Sequence, residues 1–178
     1  MIEHIKGNIF DHPVEALVNS VNCSGIVNYG LAEQFRKVYP ENYWVYIAYS
    51  RRKQVRPGSM LVFEPEDSDG LPRFIINFPT KRDWRDYSRM EDIESGLEDL
   101  ARVIRERNIR SISIPALGTG MGGLDWDEVR PRIEQTIGTI EGVRVLIFEP
   151  RIQKAFDKNI FTPVISRGKI GKFLGYIF

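Results

Sequence analysis

The sequence has one cysteine, two histidines and no long apolar run, and each shortage removes a class of function. The lone Cys23 cannot close an internal disulfide or join a cysteine cluster for metal. It reads as a small reduced residue near a loop. His4 and His12 are too few for a histidine-based metal centre or a triad. No set of metal ligands converges, and neither a metal nor a cofactor is expected. No stretch approaches the roughly 18 apolar residues of a membrane span. The opening "MIEHIKGNIF" carries charges where a signal peptide needs an apolar core. A cytoplasmic protein without a membrane partner is expected. Net charge is scarce as well: a formal +1 names no partner. Internal repeats and low-complexity tracts are missing.

The charge that exists is unevenly placed. Residues 1–150 hold 19 Lys and Arg against 23 Asp and Glu, whereas residues 151–178 hold six against one. The chain therefore reads as a mildly acidic domain over 1–150, long enough for a full core, and a basic C-terminal extension over 151–178. Ile165, Ile170, Phe173, Leu174, Ile177 and Phe178 would pack that extension on the core. Its cations offer a second reading, contact with nucleic acid. A monomer is expected.

Apolar spacing gives the order of elements. "EHIKGNI" opens as a strand, and "VEALVNSVN" is a near-continuous apolar strand that suggests burial on both faces. From Leu31, "LAEQFRKVYP" puts Leu31, Phe35, Val38 and Tyr39 on one helical face, with Pro40 ending the helix. "ENYWVYIAYSRR" is a second helical stretch. "GSMLVFEP" and "RFIINFP" read as a hairpin, and Pro79 stops its second strand. Ile93, Leu97, Leu100, Ala101 and Ile104 recur at helical spacing. "SISIPAL" is a buried strand, "LDWDEVRPRIEQTI" a helix and "VRVLIFEP" the last strand. Strands alternating with helices imply a mostly parallel sheet covered on both faces.

In such sheets, ligands sit beyond the carboxyl ends of the strands. Two glycine loops fall there: "NCSGIVNYG", residues 22–30, and "GTGMGG", residues 118–123. Gly25 and Gly30 allow positive φ, and the helix starting at Gly30 or Leu31 offers free N–H groups to an anion. Each loop alone is explained by a tight connection; as a pair they could clasp a diphosphate. Neither matches the Walker or dinucleotide pattern. Asp125 and Asp127 suit a helix start and its dipole better than acid catalysis. Just after Pro79 come Thr80, Lys81 and Trp84. Lys81 is either a solvated loop cation or the working end of a site. Arg82, Trp84 and Arg85, with Tyr87 and Arg89 nearby, mix cations and rings in a way that suits single-stranded nucleic acid. An exposed, charged helix start explains them too.

Taken together, "GNIF…VEALVNSVNCSGIVNYGLAEQF" and "IPALGTGMGGLDW" resemble the macrodomain family over about residues 1–150. The resemblance implies a three-layer α/β/α fold around a mixed, mostly parallel sheet, and ADP-ribose as ligand. The family's opening Gly-Asp-Ile/Leu stands here as Gly7-Asn8-Ile9, its Val-Asn-x-x-Asn strand end as Val18, Asn19 and Asn22, and its second phosphate loop as residues 118–123. Carried over on these matches, the residues expected to bind ADP-ribose are Asn8, Ile9, Asn19, Ser24, Gly25, Asn28, Tyr29, Gly30, Leu31, Thr80, Leu117, Gly118, Thr119, Gly120, Met121 and Gly122.

"NFPTKRDWR", "GGLDW" and "LAEQF" are similar to the DNA ADP-ribosyl glycohydrolase branch, the DarG-type antitoxins. That branch implies catalytic roles for Lys81 and for Asn22 on the distal ribose. The substrate implied is ADP-ribose joined to thymine in single-stranded DNA, and the partner implied is a DarT-like transferase toxin. DNA contacts would then fall to Arg82, Trp84 and Arg85. Lys81 would stabilise or protonate the departing thymine, or attack the opened sugar and form a Schiff base. The human-type glycohydrolases pair their lysine with an acid in the second loop, where Gly122 stands here. Three departures from the branch are visible. Asn8 replaces an acid that receives the adenine amino group, Val27-Asn28-Tyr29-Gly30 replaces Met-Gly-Lys-Gly, and about 28 residues follow the core where the branch carries a large second domain. A standalone hydrolase, or loss of the toxin-gripping role, is the expectation from the last. An ADP-ribose phosphatase, a hydrolase of ADP-ribosyl esters on protein and a non-catalytic ADP-ribose reader remain alternatives.

Overall fold

The computed structural model describes residues 1–66 and 72–150. The basic extension, its proposed anchors and the tip of the expected hairpin lie outside the described residues. The elements are β1 (Ile2–Ile5), β2 (Ala16–Asn22), α1 (Leu31–Val38), α2 (Pro40–Arg51), β3 (Leu61–Phe63), β4 (Phe74–Lys81), α3 (Met90–Glu106), β5 (Ser111–Ile114), α4 (Trp126–Thr136) and β6 (Arg144–Phe148). The sheet order is β1-β6-β5-β2-β4-β3. Among the described residues, only β3 runs antiparallel to its neighbour. This is the mixed, mostly parallel α/β architecture expected from the strand–helix alternation.

The two-residue period of the strands splits the core into two layers. Ala16, Val18, Phe74, Ile76, Phe78, Ile112, Ile114, Val145 and Ile147 face α3 and α4. Leu17, Ile75, Leu146 and Phe148 face Phe35 of α1, and Val21 meets Tyr46 and Ile47 of α2. Both sides of the central strands are dry, so their sequences read as continuous apolar runs. The α3 stripe is buried as its spacing predicts, with Ile93, Leu97, Leu100 and Ile104 all inside. Burial of each such side chain contributes about 1.5–3 kcal/mol. Gly96 lies on that stripe because a side chain there would stand 2.3 Å from the Phe78 ring. The helix thus presses on β4 just where β4 approaches the carboxyl edge.

Buried amides tie α2 to the sheet. Asn77 of β4 and Asn42 of α2 exchange hydrogen bonds of 3.2 and 2.7 Å. Asn19 of β2 donates to the same Asn77 oxygen at 2.9 Å.

Four local expectations are corrected. The opening strand ends at Ile5, and a 3-10 turn over Ile9–Asp11 follows, capped by Asn8. Val38 does not share the buried face of α1 but is 49% exposed. Pro40 does more than end α1: it occupies the first turn of α2, where its missing N–H is no loss. Pro79 does not stop β4, which runs on to Lys81. The reason is that β3 pairs only with Ile75–Asn77, so the outer side of β4 beyond Asn77 has no strand to serve.

Candidate ligand cleft

β2 and β4 end side by side. Their register slips between Val21 and Asn22, so Asn22 lies opposite Lys81 rather than Thr80. The Cys23 N–H closes the pair by donating to the Lys81 carbonyl at 2.9 Å. Above this edge opens a cleft of about 960 Å³, a size suited to a whole small-molecule ligand. Its walls come from the ends of β2, β4 and β5, from residues 26–32 and from residues 118–126.

A ring of hydrogen bonds joins Asn22 to Lys81. Ser24 Oγ donates to Asn22 Oδ1 at 2.9 Å and accepts from the Trp84 N–H at 3.3 Å. Lys81 Nζ donates to the Trp84 carbonyl at 2.7 Å. Asn22 also folds the first loop, donating to the Ile26 carbonyl at 2.7 Å. Tyr46 supports it from below with a 2.6 Å bond to the Asn22 carbonyl, and burial raises the pKa of its phenol. Neighbouring Cys23 is pushed up to about 11, first by burial and then by the Asp92 charge. Its thiol is therefore a poor nucleophile at neutral pH.

The two loops differ in construction. Gly30 caps α1 at φ 78° with no side-chain hydrogen bond. Among the described residues the first N–H groups of α1 have no side-chain acceptor, the arrangement that binds anions. By contrast, Asp125 caps α4 by accepting from the Asp127 N–H at 2.9 Å, which gives both acids a structural place at the helix start. The second loop folds on itself, with the Gly118 carbonyl accepting from Leu124 at 3.0 Å and the Gly122 carbonyl from Ser88 at 2.9 Å. Gly122 has no room for a side chain: a Cβ would lie 2.3 Å from the Gly118 oxygen. Gly120 is different. Its φ is not positive, and nothing lies within 4 Å of where its Cβ would be.

Thirteen of the sequence-derived site residues line the cleft: Asn22, Asn28, Tyr29, Gly30, Leu31, Thr80, Lys81, Trp84, Gly118, Thr119, Gly120, Met121 and Gly122. The others stand elsewhere, each for a visible reason. Asn8 accepts from Phe10 N–H at 3.3 Å and donates to Asp11 at 3.1 Å, holding the 3-10 turn. Ile9 and Leu117 are buried. Asn19 is bonded to Asn77 in the interior. Ser24 is exposed and bridges Asn22 and Trp84 outside the lining, and Gly25 packs against Ser50. Arg82 is held in a two-bond ion pair by the buried Asp92, both bonds 3.0 Å. Arg85 pairs with Asp83 at 3.3 Å and lies over the Trp84 ring.

Lining residues that sequence reasoning missed include Ser20, Ile26, Ala116, Trp126 and Pro150. Ser20 shares the strand period of Asn22, and Pro150 follows the end of β6 at the same edge; both signals were present in the pattern. Among the described residues, no three His, Cys, Asp or Glu side chains gather as a metal-binding group. No helix there is long and apolar enough to cross a membrane.

A sheet covered on both faces, with two glycine loops bounding one cleft at its carboxyl edge, places the chain among three-layer α/β/α domains. The family model described as the Macro domain matches residues 18–133, and the chain belongs to the macrodomain family. A DNA ADP-ribosyl glycohydrolase of Thermus aquaticus is 45% identical over 150 residues, covering 84% of this chain and 41% of that protein. The macrodomain of Mycobacterium tuberculosis DarG is 43% identical, with a TM-score of 0.82 over 85% of this chain and 99% of that one. The structure of Thermosipho africanus DarTG in complex with ADP-ribose is 29% identical, with a TM-score of 0.78 over 85% of this chain and 43% of that one. The chain spans about two fifths of the length of the curated DNA ADP-ribosyl glycohydrolases it matches.

Proposed function

We propose that this chain is a DNA ADP-ribosyl glycohydrolase that binds ADP-ribose in the cleft and releases it from thymine in single-stranded DNA. The observation that carries this reading is the pairing of Asn22 with Lys81 at the cleft floor, between the two glycine loops. The similarity to glycohydrolases at 43–45% identity supports the same reading. The loops would hold the diphosphate, with the first turn of α1 and the backbone near Gly120 as donors. Asn22 would hold the distal ribose. The bond between the anomeric carbon and the thymine nitrogen then breaks, and its electron pair leaves with the thymine. Lys81 stabilises or protonates that leaving imide, and water supplies the new hydroxyl. A neutral Lys81 attacking the opened sugar is the covalent variant of the same scheme. The reading needs no metal, and it makes a cytoplasmic DarT-like transferase the enzyme whose product is removed.

The test uses a single-stranded oligonucleotide ADP-ribosylated on thymine, with wild type and Lys81→Ala. The expected result is release of free ADP-ribose by wild type only, with ADP-ribose affinity kept in the variant. Lys81→Arg retains charge but cannot form a Schiff base, so its activity distinguishes the two variants of the scheme. Absence of release from DNA, with hydrolysis of ADP-ribose 1''-phosphate or of an ADP-ribosyl ester instead, overturns the thymine reading. Binding without any hydrolysis makes the chain a reader.

A further inference from the structure

Eight large apolar side chains are well exposed among the described residues, and their distribution is uneven. Ile26, Tyr29 and Met121 line the cleft itself. A fourth, Tyr87, stands at its border. A methyl group on Gly123, a cleft residue, would lie 3.0 Å from Tyr87 Cδ1, so the ring rests against the bare backbone of the second loop. Tyr87 is 80% exposed. Among the described residues it makes no side-chain hydrogen bond and no ring contact.

The ring is exposed yet held. Its neighbour Ser88 is buried, and the Ser88 N–H donates to the Gly122 carbonyl at 2.9 Å. On the other side the Asp86 N–H donates to the Asp83 carbonyl at 3.1 Å, closing a turn that follows Lys81. The segment therefore spans from the candidate catalytic lysine to the second loop, with Tyr87 standing out at the far end. Its charges are largely neutralised within the chain: Arg82 by Asp92, and Arg85 by Asp83. Lys81 and Arg89 make no ion pair among the described residues, against one exposed acid without a pair, Asp86. The unpaired charge left here is small, and at the far end of the segment the recognition chemistry on offer is the aromatic face of Tyr87. A tyrosine held by its backbone loses little freedom when something stacks on it.

We propose that Tyr87 stacks the base of a nucleotide neighbouring the one inserted in the cleft, so that the protein reads its substrate as single-stranded DNA and not only as ADP-ribosyl-thymidine. This rests on the glycohydrolase reading for its substrate, but not for its measurement. Loss of base–aromatic stacking corresponds to a roughly 5- to 150-fold change in affinity.

The experiment compares wild type, Tyr87→Ala and Tyr87→Phe on an ADP-ribosylated oligonucleotide and on ADP-ribosyl-thymidine. A parallel arm measures anisotropy of an unmodified, labelled single-stranded oligonucleotide. Expected is a lower KM for the oligonucleotide than for the nucleoside in wild type. Tyr87→Ala abolishes that difference by raising the oligonucleotide KM about fivefold or more, leaves the nucleoside KM within about twofold, and weakens anisotropy binding by a similar factor. Tyr87→Phe behaves as wild type, because the hydroxyl is not used. An equal loss on both substrates, or an unchanged oligonucleotide KM in Tyr87→Ala, overturns the proposal. If wild type hydrolyses neither substrate but binds the oligonucleotide through Tyr87, the glycohydrolase reading falls alone. If it hydrolyses both and Tyr87→Ala binds and turns over as wild type does, the stacking role falls alone. Neither hydrolysis nor binding by wild type overturns both.

Discussion

Alanine in place of Gly120 should make the protein more stable and a worse binder of ADP-ribose. The new methyl meets no atom of the chain within 4 Å, and φ at this position lies outside the range that favours glycine. The folded state therefore bears no strain, while the unfolded chain loses freedom, which stabilises by about 0.4–1 kcal/mol. For a chain of this size the melting temperature should rise by roughly 1–4 °C. The space filled by the methyl is cleft space, between Thr119 and Met121. A phosphate that approaches the backbone there is held off, and one hydrogen bond to a charged oxygen is worth about 1.5–3 kcal/mol. Affinity should fall roughly 10- to 150-fold. Thermal unfolding and calorimetric titration with ADP-ribose read the two effects separately. A raised melting temperature with unchanged affinity would refute the assignment of the second loop to the diphosphate. The control is Gly122→Ala, whose Cβ would be 2.2 Å from Ser88 Oγ and 2.3 Å from the Gly118 oxygen. Here the backbone must move, stability should drop by about 1–3 kcal/mol, and affinity should drop with it. Only opposite signs at the two glycines fit the geometry.

Ser24→Ala should act on turnover through other groups, because Ser24 bridges Asn22 and Trp84 and Trp84 receives Lys81. A loss of about 1 kcal/mol of positioning corresponds to roughly a fivefold lower kcat, with KM little changed and recovery in Ser24→Thr; an unchanged kcat would sink the idea. Cys23, raised from 9.0 to about 11, should resist alkylation at neutral pH. Folding linked to this thiol is fully supported below about pH 9, where both folded and unfolded chains keep the proton. It weakens between about pH 9 and 11, where the unfolded chain gives the proton up first. Fast iodoacetamide labelling of the native protein at pH 7, or a stability profile flat across that window, would contradict the environment described for this thiol.

Much of the fold was legible because its signals are local. A strand dry on both faces writes itself as an apolar run, as in Val145–Phe148. The α3 stripe repeats every three to four residues. The two glycine loops announce themselves by composition, whereas the position of Lys81 after an apolar strand fits a solvated cation as well as a site residue. What escaped notice depends on partners far apart in the chain. Asn19 and Asn77, 58 residues apart, hydrogen-bond inside the core, yet an asparagine at a strand end looks the same whether it faces a ligand or another amide. Arg82 looked like a free cation until the fold brought Asp92 within 3.0 Å. Pro79 looked like a stop signal because nothing local reveals that β3 covers only part of β4. Tyr29 and Met121, by contrast, are legible as cleft residues because each belongs to a glycine loop that lies as a whole at the carboxyl edge.

The one-residue slip that brings Asn22 opposite Lys81 has a further consequence. The two residues are set by strand pairing, while residues 26–30 hang from one strand end and the first turn of α1. A macrodomain can therefore change the sequence of that loop, as Val27-Asn28-Tyr29 does here, and leave the spacing of the pair untouched. It works like a vice with one jaw cast into the frame and the other fitted for each job.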